Sequence, residues 1–332
     1  MILEKRINAF VNLAEEIDRI LKSNNPEFYR KIQDENNWFT QDNIQLSLRG
    51  IKRWLTSESL NKWAFNYNLE NKLYKRVGVI MAGNIPLVGF HDLLSILISG
   101  HCALIKPSSQ DSVLLKWILE KLANAESEFK SQIELVDRLN DADAFIGTGS
   151  DNSARYFKYY FGQKPNIIRQ NRTSVAVLTG NESESDIQNL GKDIFSYYGL
   201  GCRNVSKLFV PSGYDFPKLL DNFQAFADIG DHHKYRNNYD YNKSIYLVNN
   251  EPHLDTGFML LRQSDDLFSP ISVVYFEQYD SQTCLDQRLT ELRGKIQCVV
   301  GEKYLPFGKA QLPELWDYAD GVDPLDFLTK LE

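Results

Sequence analysis

The sequence predicts an α/β protein in which a parallel, doubly wound sheet is followed by a second α/β domain. Short apolar runs of buried-strand type occur at residues 77–81 and 103–105, and a helical pattern at residues 87–98 separates them. Such runs between helical patterns are typical of parallel strands that helices cover on both faces. A chain that alternates strands and helices in this way is expected to build a doubly wound sheet.

An N-terminal helical segment precedes the predicted sheet. Within residues 1–66, the apolar side chains Phe10, Leu13, Ile17 and Leu21 repeat near the helical period. The later predicted elements are helices at 112–123 and 152–161 and strands at 133–136, 144–146, 167–168, 175–178, 208–210, 245–248, 258–261, 271–276 and 298–300. The polar, tyrosine-rich residues 231–243 are expected to form a mobile loop.

The composition excludes several classes of function. The 332 residues suffice for two domains, and the net charge of -7 comes without any block of lysine or arginine, which argues against nucleic-acid or anionic-membrane partners. The first residues lack the apolar core of a signal peptide, and polar residues interrupt the apolar stretch at 93–105, so a cytoplasmic protein without a membrane span is expected. Four scattered cysteines and five histidines predict neither a disulfide framework nor a bound metal. The expected partner is a small molecule.

Cys202 is the strongest candidate for a catalytic residue. An aromatic-rich helical pattern breaks at Gly199 and Gly201, and a strand pattern follows the cysteine. Glycines tolerate positive φ and can end a helix, so the thiol would be displayed on a tight turn, as a nucleophile requires. The remaining cysteines lie in apolar runs and are expected to be small buried hydrophobic residues: Cys102, Cys284 and Cys298.

Three further segments place polar groups where parallel strands end, the edge at which such sheets bind ligands. Asn84 follows the first strand and could donate to a developing oxyanion or stabilise a turn with its own side chain. Lys106, Ser108 and Ser109 close the second strand and could contact ribose or phosphate, although a solvated strand end has the same pattern. Residues 145–150 form a glycine turn that suits anion binding, but the third glycine of the dinucleotide fingerprint is absent.

Taken in order with Cys202, these motifs resemble the aldehyde dehydrogenase superfamily, specifically its acyl-CoA reductase branch, which includes the luciferase-associated fatty acid reductases. The resemblance runs from about Val77 to the C-terminus and is most specific at residues 83–92, 145–150, 195–206, 268–270 and 306–311. It implies an aldehyde dehydrogenase-like fold. The implied division is an N-terminal helical segment (1–66), a dinucleotide-binding domain (67–178), a catalytic domain with the cysteine nucleophile (179–304) and a tail returning to the dinucleotide-binding domain (305–332).

The resemblance also implies roles for individual residues. Cys202 matches the nucleophile, and Asn84 with the Cys202 amide matches the oxyanion hole. Lys106 matches the adenosine-ribose contact, and Ser109 stands where NAD-preferring relatives often carry a glutamate, so NADPH is expected rather than NADH. Asp266 matches the carboxylate that positions the nicotinamide ribose, with aspartate in place of the usual glutamate. The other implied cofactor contacts are Ser108, Gly147, Thr148, Gly149, Ser150 and Phe268.

The implied reaction is NADPH-dependent reduction of an acyl-CoA (or acyl-enzyme) thioester to the aldehyde through an acyl-cysteine. Hydrolytic relatives carry a water-activating glutamate where this chain has residues 167–172, which contain no carboxylate. Alternatives are a hydrolytic aldehyde dehydrogenase or an acyl-phosphate reductase on the same scaffold, and a non-catalytic acyl-relay subunit of a fatty acid reductase complex. The resemblance is compatible with an acyl-protein synthetase-like partner and with a homo-oligomer.

Overall fold

The computed structural model describes residues 1–23, 25–69, 74–149 and 151–331. They divide into two compact units: residues 1–171 with the chain from Pro313 onward, and residues 172–312. Each unit contains one sheet, and the predicted α/β class is confirmed. The central boundary differs from the sequence-based division, because the strand at Thr173–Val177 pairs with strands of the second unit.

The first unit begins with helices and continues with alternating strands and helices. Its elements up to residue 171 are α1 (Leu3–Lys22), α2 (Pro26–Glu35), α3 (Gln41–Trp54), α4 (Ser57–Ala64), β1 (Arg76–Ile80), α5 (Phe90–Ile98), β2 (Cys102–Lys106), α6 (Ser112–Ala125), β3 (Ile133–Leu135), β4 (Ala144–Thr148), α7 (Asp151–Phe161) and β5 (Asn166–Arg169). The sheet is parallel, with strand order β3-β2-β1-β4-β5. The order in which strands are added to the sheet therefore reverses between β1 and β4. Ligands of doubly wound sheets bind at such a point.

The N-terminal helices belong to the core of the first unit. Phe10, Leu13 and Ile17 of α1 are fully buried in one cluster with Val77 and Val79 of β1. The predicted helical period is confirmed, and the apolar stripe that it creates packs into the same core as the first strand of the sheet.

The second unit contains a six-stranded sheet. Its elements are β6 (Thr173–Val177), α8 (Glu184–Phe195), β7 (Val205–Pro211), α9 (Phe216–Phe223), α10 (His233–Val248), β8 (Leu254–Asp255), β9 (Leu260–Gln263), β10 (Val273–Tyr279), α11 (Gln282–Leu292) and β11 (Ile296–Gly301), after which α12 (Pro324–Thr329) lies in the first unit. The strand order is β11-β6-β7-β10-β9-β8, and within it the short β8 pairs antiparallel with β9. The turn before β7 thus leads into the interior of the sheet.

The prediction of a mobile loop at residues 231–243 is wrong. Most of this segment is the first part of α10, which also includes the strand predicted at 245–248. His232 caps the helix. Tyr239 and Tyr246, which are two turns apart on the same face of the helix, are buried against the second sheet. The polar residues between the tyrosines concealed a helical aromatic stripe.

Replacing Phe10 with alanine tests whether α1 carries the core of the first unit. Phe10 is fully buried and its ring contacts those of Phe90 and Phe129. We expect Phe10→Ala to lower the free energy of unfolding by about 3–5 kcal/mol, measured by chemical denaturation. Phe65 is 87% exposed, so Phe65→Ala should cost less than about 0.5 kcal/mol. Equal effects of the two substitutions would contradict this role of α1.

Candidate active site

Cys202 lies on a tight turn immediately before β7. A hydrogen bond of 3.0 Å from the backbone N–H of Asn204 to the carbonyl of Gly201 closes this turn. Cys202 is exposed, whereas Gly201 and Asn204 are buried. The Cys202 carbonyl accepts a hydrogen bond from the Oγ of Ser174 on β6 at 3.1 Å. The turn therefore presents Cys202 to solvent on a backbone that the interior of the second unit holds.

The backbone that leads into this turn is left-handed over three consecutive residues. Tyr197, Tyr198 and Gly199 have φ values of 52°, 58° and 77°, whereas Gly201 is not in this region. Glycine adopts such values freely, but two successive tyrosines do so at a cost. Backbone of this kind persists only where surrounding contacts determine it, and it concentrates at functional sites.

Asn84 is exposed on the loop that follows β1 in the first unit. Buried side chains hold this loop on both sides of Asn84. The Nδ2 of Asn36 donates to the carbonyl of Gly83 at 3.2 Å, and the Oγ of Ser47 donates to the carbonyl of Pro86 at 2.7 Å. These donors belong to the N-terminal helical region, which sequence reasoning did not connect with the site.

Asp111 holds the end of the same loop. Leu87 has a φ of 56°, and its backbone N–H donates to the Oδ2 of Asp111 at 2.7 Å. Asp111 is 5% exposed, and its Oδ1 has no hydrogen-bond partner among the described residues. Burial raises the pKa of Asp111 to about 8, against the effect of the Leu87 amide, and the carboxylate of Glu35 adds to the rise. The carboxyl group is therefore largely protonated at neutral pH.

A cavity of about 550 Å³ lies in the first unit. Its lining includes the last residues of β1 and β2, at the carboxyl ends of these strands, together with residues of α7 and residues that precede β4 and β5. Lys106, the last residue of β2, lines it with two further cations, Arg138 and Lys164. The other described lining residues are mainly apolar or aromatic: Ile80, Asp137, Leu139, Asn140, Phe145, Tyr156, Phe157, Tyr160 and Phe161. Ligand sites commonly have volumes of about 300–1,000 Å³, and nucleotides bind at this edge of a doubly wound sheet. A combination of aromatic rings and cations fits the base and phosphate groups of a nucleotide.

The other predicted cofactor residues of the first unit lie near this edge without lining the described part of the cavity. Ser108 and Ser109 follow Lys106 on the loop to α6, and the Oγ of Ser108 accepts from the backbone N–H of Gln110. A Cβ at Gly83 would come within 2.8 Å of the Ser108 Cβ, so glycine is needed where these two loops approach. Of the predicted glycine turn, Gly147 and Thr148 are the last residues of β4 and Gly149 follows them, while Ser150 lies outside the described residues.

Thr148 is next to a buried ion pair that sequence reasoning missed. The Nη1 of Arg169, at the end of β5, lies 2.6 Å from the Oδ2 of Asp92 on α5 and 3.4 Å from the Oγ1 of Thr148. The side chains of Arg169 and Asp92 are 4% and 9% exposed. The partners are 77 residues apart in the chain, so no local pattern marks the pair.

Asp266 and Phe268 are exposed on the loop between β9 and β10. The fully buried Lys207 of β7 holds this loop, because its Nζ donates to the carbonyls of Ser264 at 2.9 Å and Asp266 at 3.2 Å and pairs with Glu277. Burial lowers the pKa of Lys207, and Glu277 opposes this effect. Because Lys207 adjoins an apolar strand run, its structural role was not visible in the sequence.

Of the other cysteines, Cys284 contradicts the expectation of burial. It is exposed in the first turn of α11, where its backbone N–H donates to the Oγ of the capping residue Ser281. Cys102 and Cys298 are half-buried. Sequence periodicity does not show which side of a short helix faces solvent in its first turn.

His91 is a packing residue. It is half-buried, its Nε2 lies 2.8 Å from the carbonyl oxygen of Leu315, and its ring contacts those of Trp54, Trp63 and Tyr318. Burial lowers its pKa, although Asp92 and the Leu315 carbonyl act in the opposite direction. The next residue, Asp92, pairs with Arg169 and not with His91.

Two α/β units, one with a doubly wound sheet and one with a cysteine turn before an interior strand, have the fold of the aldehyde dehydrogenases. Aldehyde dehydrogenase 21 from Physcomitrella patens, in complex with the reaction product succinate, aligns with a TM-score of 0.66 at 13% identity over 91% of this chain and 74% of that one. Glyceraldehyde-3-phosphate dehydrogenase GapN from Methanocaldococcus jannaschii, complexed with NADP, gives 0.64 at 13% identity over 90% and 76%. An aldehyde dehydrogenase from Bacillus cereus, in its NAD+ complex, gives 0.63 at 14% identity over 90% and 72%. These similarities establish the fold.

The chain belongs to the acyl-CoA reductase (LuxC) family, whose sequence model matches residues 4–217. The matched region includes Asn84, Lys106 and Cys202, and the family resemblance recognised from the motifs is confirmed. A comparison with curated protein sequences gave no match. Family and fold together define an oxidoreductase of acyl groups.

In the described part of the chain, none of the helices combines the length and apolar character needed to cross a bilayer. No group of three or more histidine, cysteine, aspartate or glutamate side chains in the same residues has the arrangement of a metal site.

Replacing Asp111 with asparagine should produce a pH-dependent difference in stability. A carboxyl group whose pKa is raised by folding contributes its full stability below the pKa of the unfolded chain and loses it as pH rises toward 8. We therefore expect the melting temperature of Asp111→Asn to rise relative to wild type between pH 5 and pH 9. At about 1.4 kcal/mol per pKa unit, the total change should be several kcal/mol.

The control is Asp34→Asn, which alters an exposed aspartate of the same unit. Its melting temperature should follow that of wild type at every pH. A constant difference between Asp111→Asn and wild type over this range would contradict a protonated Asp111.

Proposed function

We propose that the protein reduces an acyl thioester to the corresponding aldehyde with NADPH, through an acyl group carried on Cys202. The observation that carries this proposal is the exposed cysteine on a firmly held turn in a member of the acyl-CoA reductase family. A thiolate at this position can attack a thioester, since cysteine is a strong nucleophile when accessible.

In the proposed reaction the thiolate of Cys202 attacks the thioester carbonyl and forms a tetrahedral adduct. The backbone amide of Cys202 and the side-chain amide of Asn84 are assigned to stabilise its oxyanion. Collapse of the adduct breaks the bond to CoA, which leaves as a thiolate, and an acyl-cysteine remains. After reduction of that acyl carbon, breaking the carbon–sulfur bond of the hemithioacetal releases the aldehyde and regenerates the Cys202 thiolate.

The cofactor proposed for this reaction is NADPH, which supplies a hydride to the acyl carbon when bound. The cavity in the first unit fits its adenosine-phosphate part by volume, aromatic lining and positive charge. Lys106 is assigned to the ribose and its 2′-phosphate, and Thr148 with the adjacent backbone to the pyrophosphate. Ser109 places no negative charge near that phosphate. In the second unit, Asp266 and Phe268 are assigned to the nicotinamide ribose side.

The absence of a carboxylate from residues 167–172 supports exchange of the acyl group with a thiol over hydrolysis. A hydrolytic aldehyde dehydrogenase would need a base there to activate water. An acyl-relay subunit that hands the group to a partner, such as an acyl-protein synthetase-like protein, would use the same cysteine without consuming NADPH. These alternatives differ in products and can be separated by one experiment.

Substitution of Cys202 tests the nucleophile. Oxidation of NADPH at 340 nm, with a series of acyl-CoAs and assay of free CoA and aldehyde, should show turnover in wild type and none above background in Cys202→Ala. Cys284 is also exposed in the second unit, and Cys284→Ala should retain wild-type activity. Persistent acylation of Cys202 without NADPH oxidation would favour the relay subunit, and release of free carboxylic acid would favour hydrolysis.

Substitution of Lys106 tests the preference for NADPH. Lys106→Met removes the cation assigned to the 2′-phosphate, so the ratio of kcat/KM for NADPH to that for NADH should fall about tenfold, or ~1.4 kcal/mol. Lys130→Met alters an exposed lysine of the same unit outside the described lining of the cavity and should leave the ratio unchanged. An unchanged ratio in Lys106→Met would show that Lys106 does not select the cofactor.

A further inference from the structure

Asn204 contributes both its backbone and its side chain to the turn that carries Cys202. Its backbone N–H donates to the carbonyl of Gly201 at 3.0 Å, and its Oδ1 accepts from the backbone N–H of Gly201 at 2.8 Å. One residue therefore closes the turn twice, with Cys202 and Arg203 at the two corner positions. Asn204 is 2% exposed, so water does not compete readily for these bonds.

The other end of the Asn204 side chain holds the preceding helix. Its Nδ2 lies within hydrogen-bond distance of three carbonyl oxygens near the end of α8, those of Asp193 at 3.2 Å, Ile194 at 3.1 Å and Ser196 at 2.7 Å. An amide nitrogen carries two hydrogens, so at least one of them is shared. The last carbonyls of a helix have no partner within the helix. Asn204 supplies one here and thereby ties the helix end to the cysteine turn.

These two sets of bonds enclose the left-handed segment. Tyr197, Tyr198 and Gly199 lie between the helix carbonyls and Gly201, and their positive φ values need external support. Asn204 bonds to the backbone on each side of the segment. If this side chain were lost, the three residues could relax toward ordinary backbone angles, and the turn would move with them.

We propose that Asn204 is a positioning residue that sets the location of the Cys202 thiol. It acts on the reaction through the backbone of the turn and does not itself contact the substrate. The proposal rests on the proposed function only where Cys202 is taken as the nucleophile, because the geometry of the turn can be measured by thiol chemistry alone. A buried asparagine that merely stabilised the fold would affect Cys202 no more than any other part of the unit.

Two variants separate the contacts of Asn204. Asn204→Asp keeps an oxygen for the Gly201 amide and replaces the donor that faces the helix carbonyls, whereas Asn204→Ala removes both. The matched control is Asn242→Asp, since Asn242 of α10 is also buried and donates from its Nδ2 to the carbonyl of Ile271 at 3.0 Å. Cys284 serves as an exposed reference thiol within the same molecule.

The first measurement is the rate of alkylation of each cysteine by iodoacetamide, resolved by peptide mass spectrometry. In both Asn204 variants the Cys202 rate should change at least about fivefold while the Cys284 rate stays within twofold, because only the former thiol depends on the turn. With acyl-CoA and NADPH as substrates, the kcat of both Asn204 variants should be lower than that of wild type by on the order of 10- to 100-fold. The KM for NADPH should be unchanged. Asn242→Asp should leave both readouts at the wild-type values.

Several outcomes would overturn the proposal. One is that folded Asn204 variants keep a Cys202 alkylation rate and a kcat within twofold of wild type. Another is that Asn242→Asp alters the Cys202 alkylation rate and kcat as much as the Asn204 variants do. If neither Asn204 variant folds, residue-resolved hydrogen exchange of wild type decides: the Gly201 amide must be protected, and exchange at the rate of an open amide would refute the bond to Asn204. Failure of wild type to reduce any acyl-CoA, together with altered Cys202 alkylation in the variants, would reject the proposed function and retain the positioning role.

Discussion

The position of Cys202 depends on how the polar groups at the end of α8 are satisfied inside the second unit. A helix that ends in a buried environment cannot leave its last carbonyls to water. The Nδ2 of Asn204 lies within hydrogen-bond distance of two of them, those of Asp193 and Ile194, and of the carbonyl of Ser196 that follows the helix. In the same helical turn, the carboxylate of Asp193 accepts from the backbone N–H groups of Gly308 at 2.6 Å and Ala310 at 3.0 Å. One helix end thus fixes both the cysteine turn and a second stretch that carries the family resemblance.

In the first unit, buried side chains hold the loop that bears Asn84 through hydrogen bonds to its backbone. Glycine at position 83 permits the close approach to Ser108, but it does not determine where the loop lies. Hydrogen bonds from Asn36 and Ser47 supply that restraint, and both come from the N-terminal helical region. Hydrogen bonds between buried groups are protected from competing water and resist displacement. The N-terminal helices therefore support the site as well as the core.

The sequence contained enough information to predict the architecture and the exposed candidates, but not the side chains that hold them. Apolar periodicity located α1 and the strands of the first sheet because burial on one or both faces leaves a regular pattern. It failed at α10, where buried tyrosines alternate with polar residues. Asn204, Asp111 and Lys207 were missed for a different reason: each acts through a partner that is distant in the chain or through a backbone group, and neither leaves a local signature.

Hydrolysis of the acyl group proposed to form on Cys202 would require a general base that activates water. Residues 167–172 contain no carboxylate, and Asp92, which contacts this segment, is ion-paired with Arg169 at 2.6 Å. Both side chains of this pair are buried, and the Asp92 carboxylate is engaged by the Arg169 guanidinium. A general base must lie within hydrogen-bond reach of the water that it activates, and a buried carboxylate bound to a cation does not offer this. A thiolate needs no such base in order to attack a thioester, and this difference supports the proposed exchange of the acyl group with a thiol over hydrolysis.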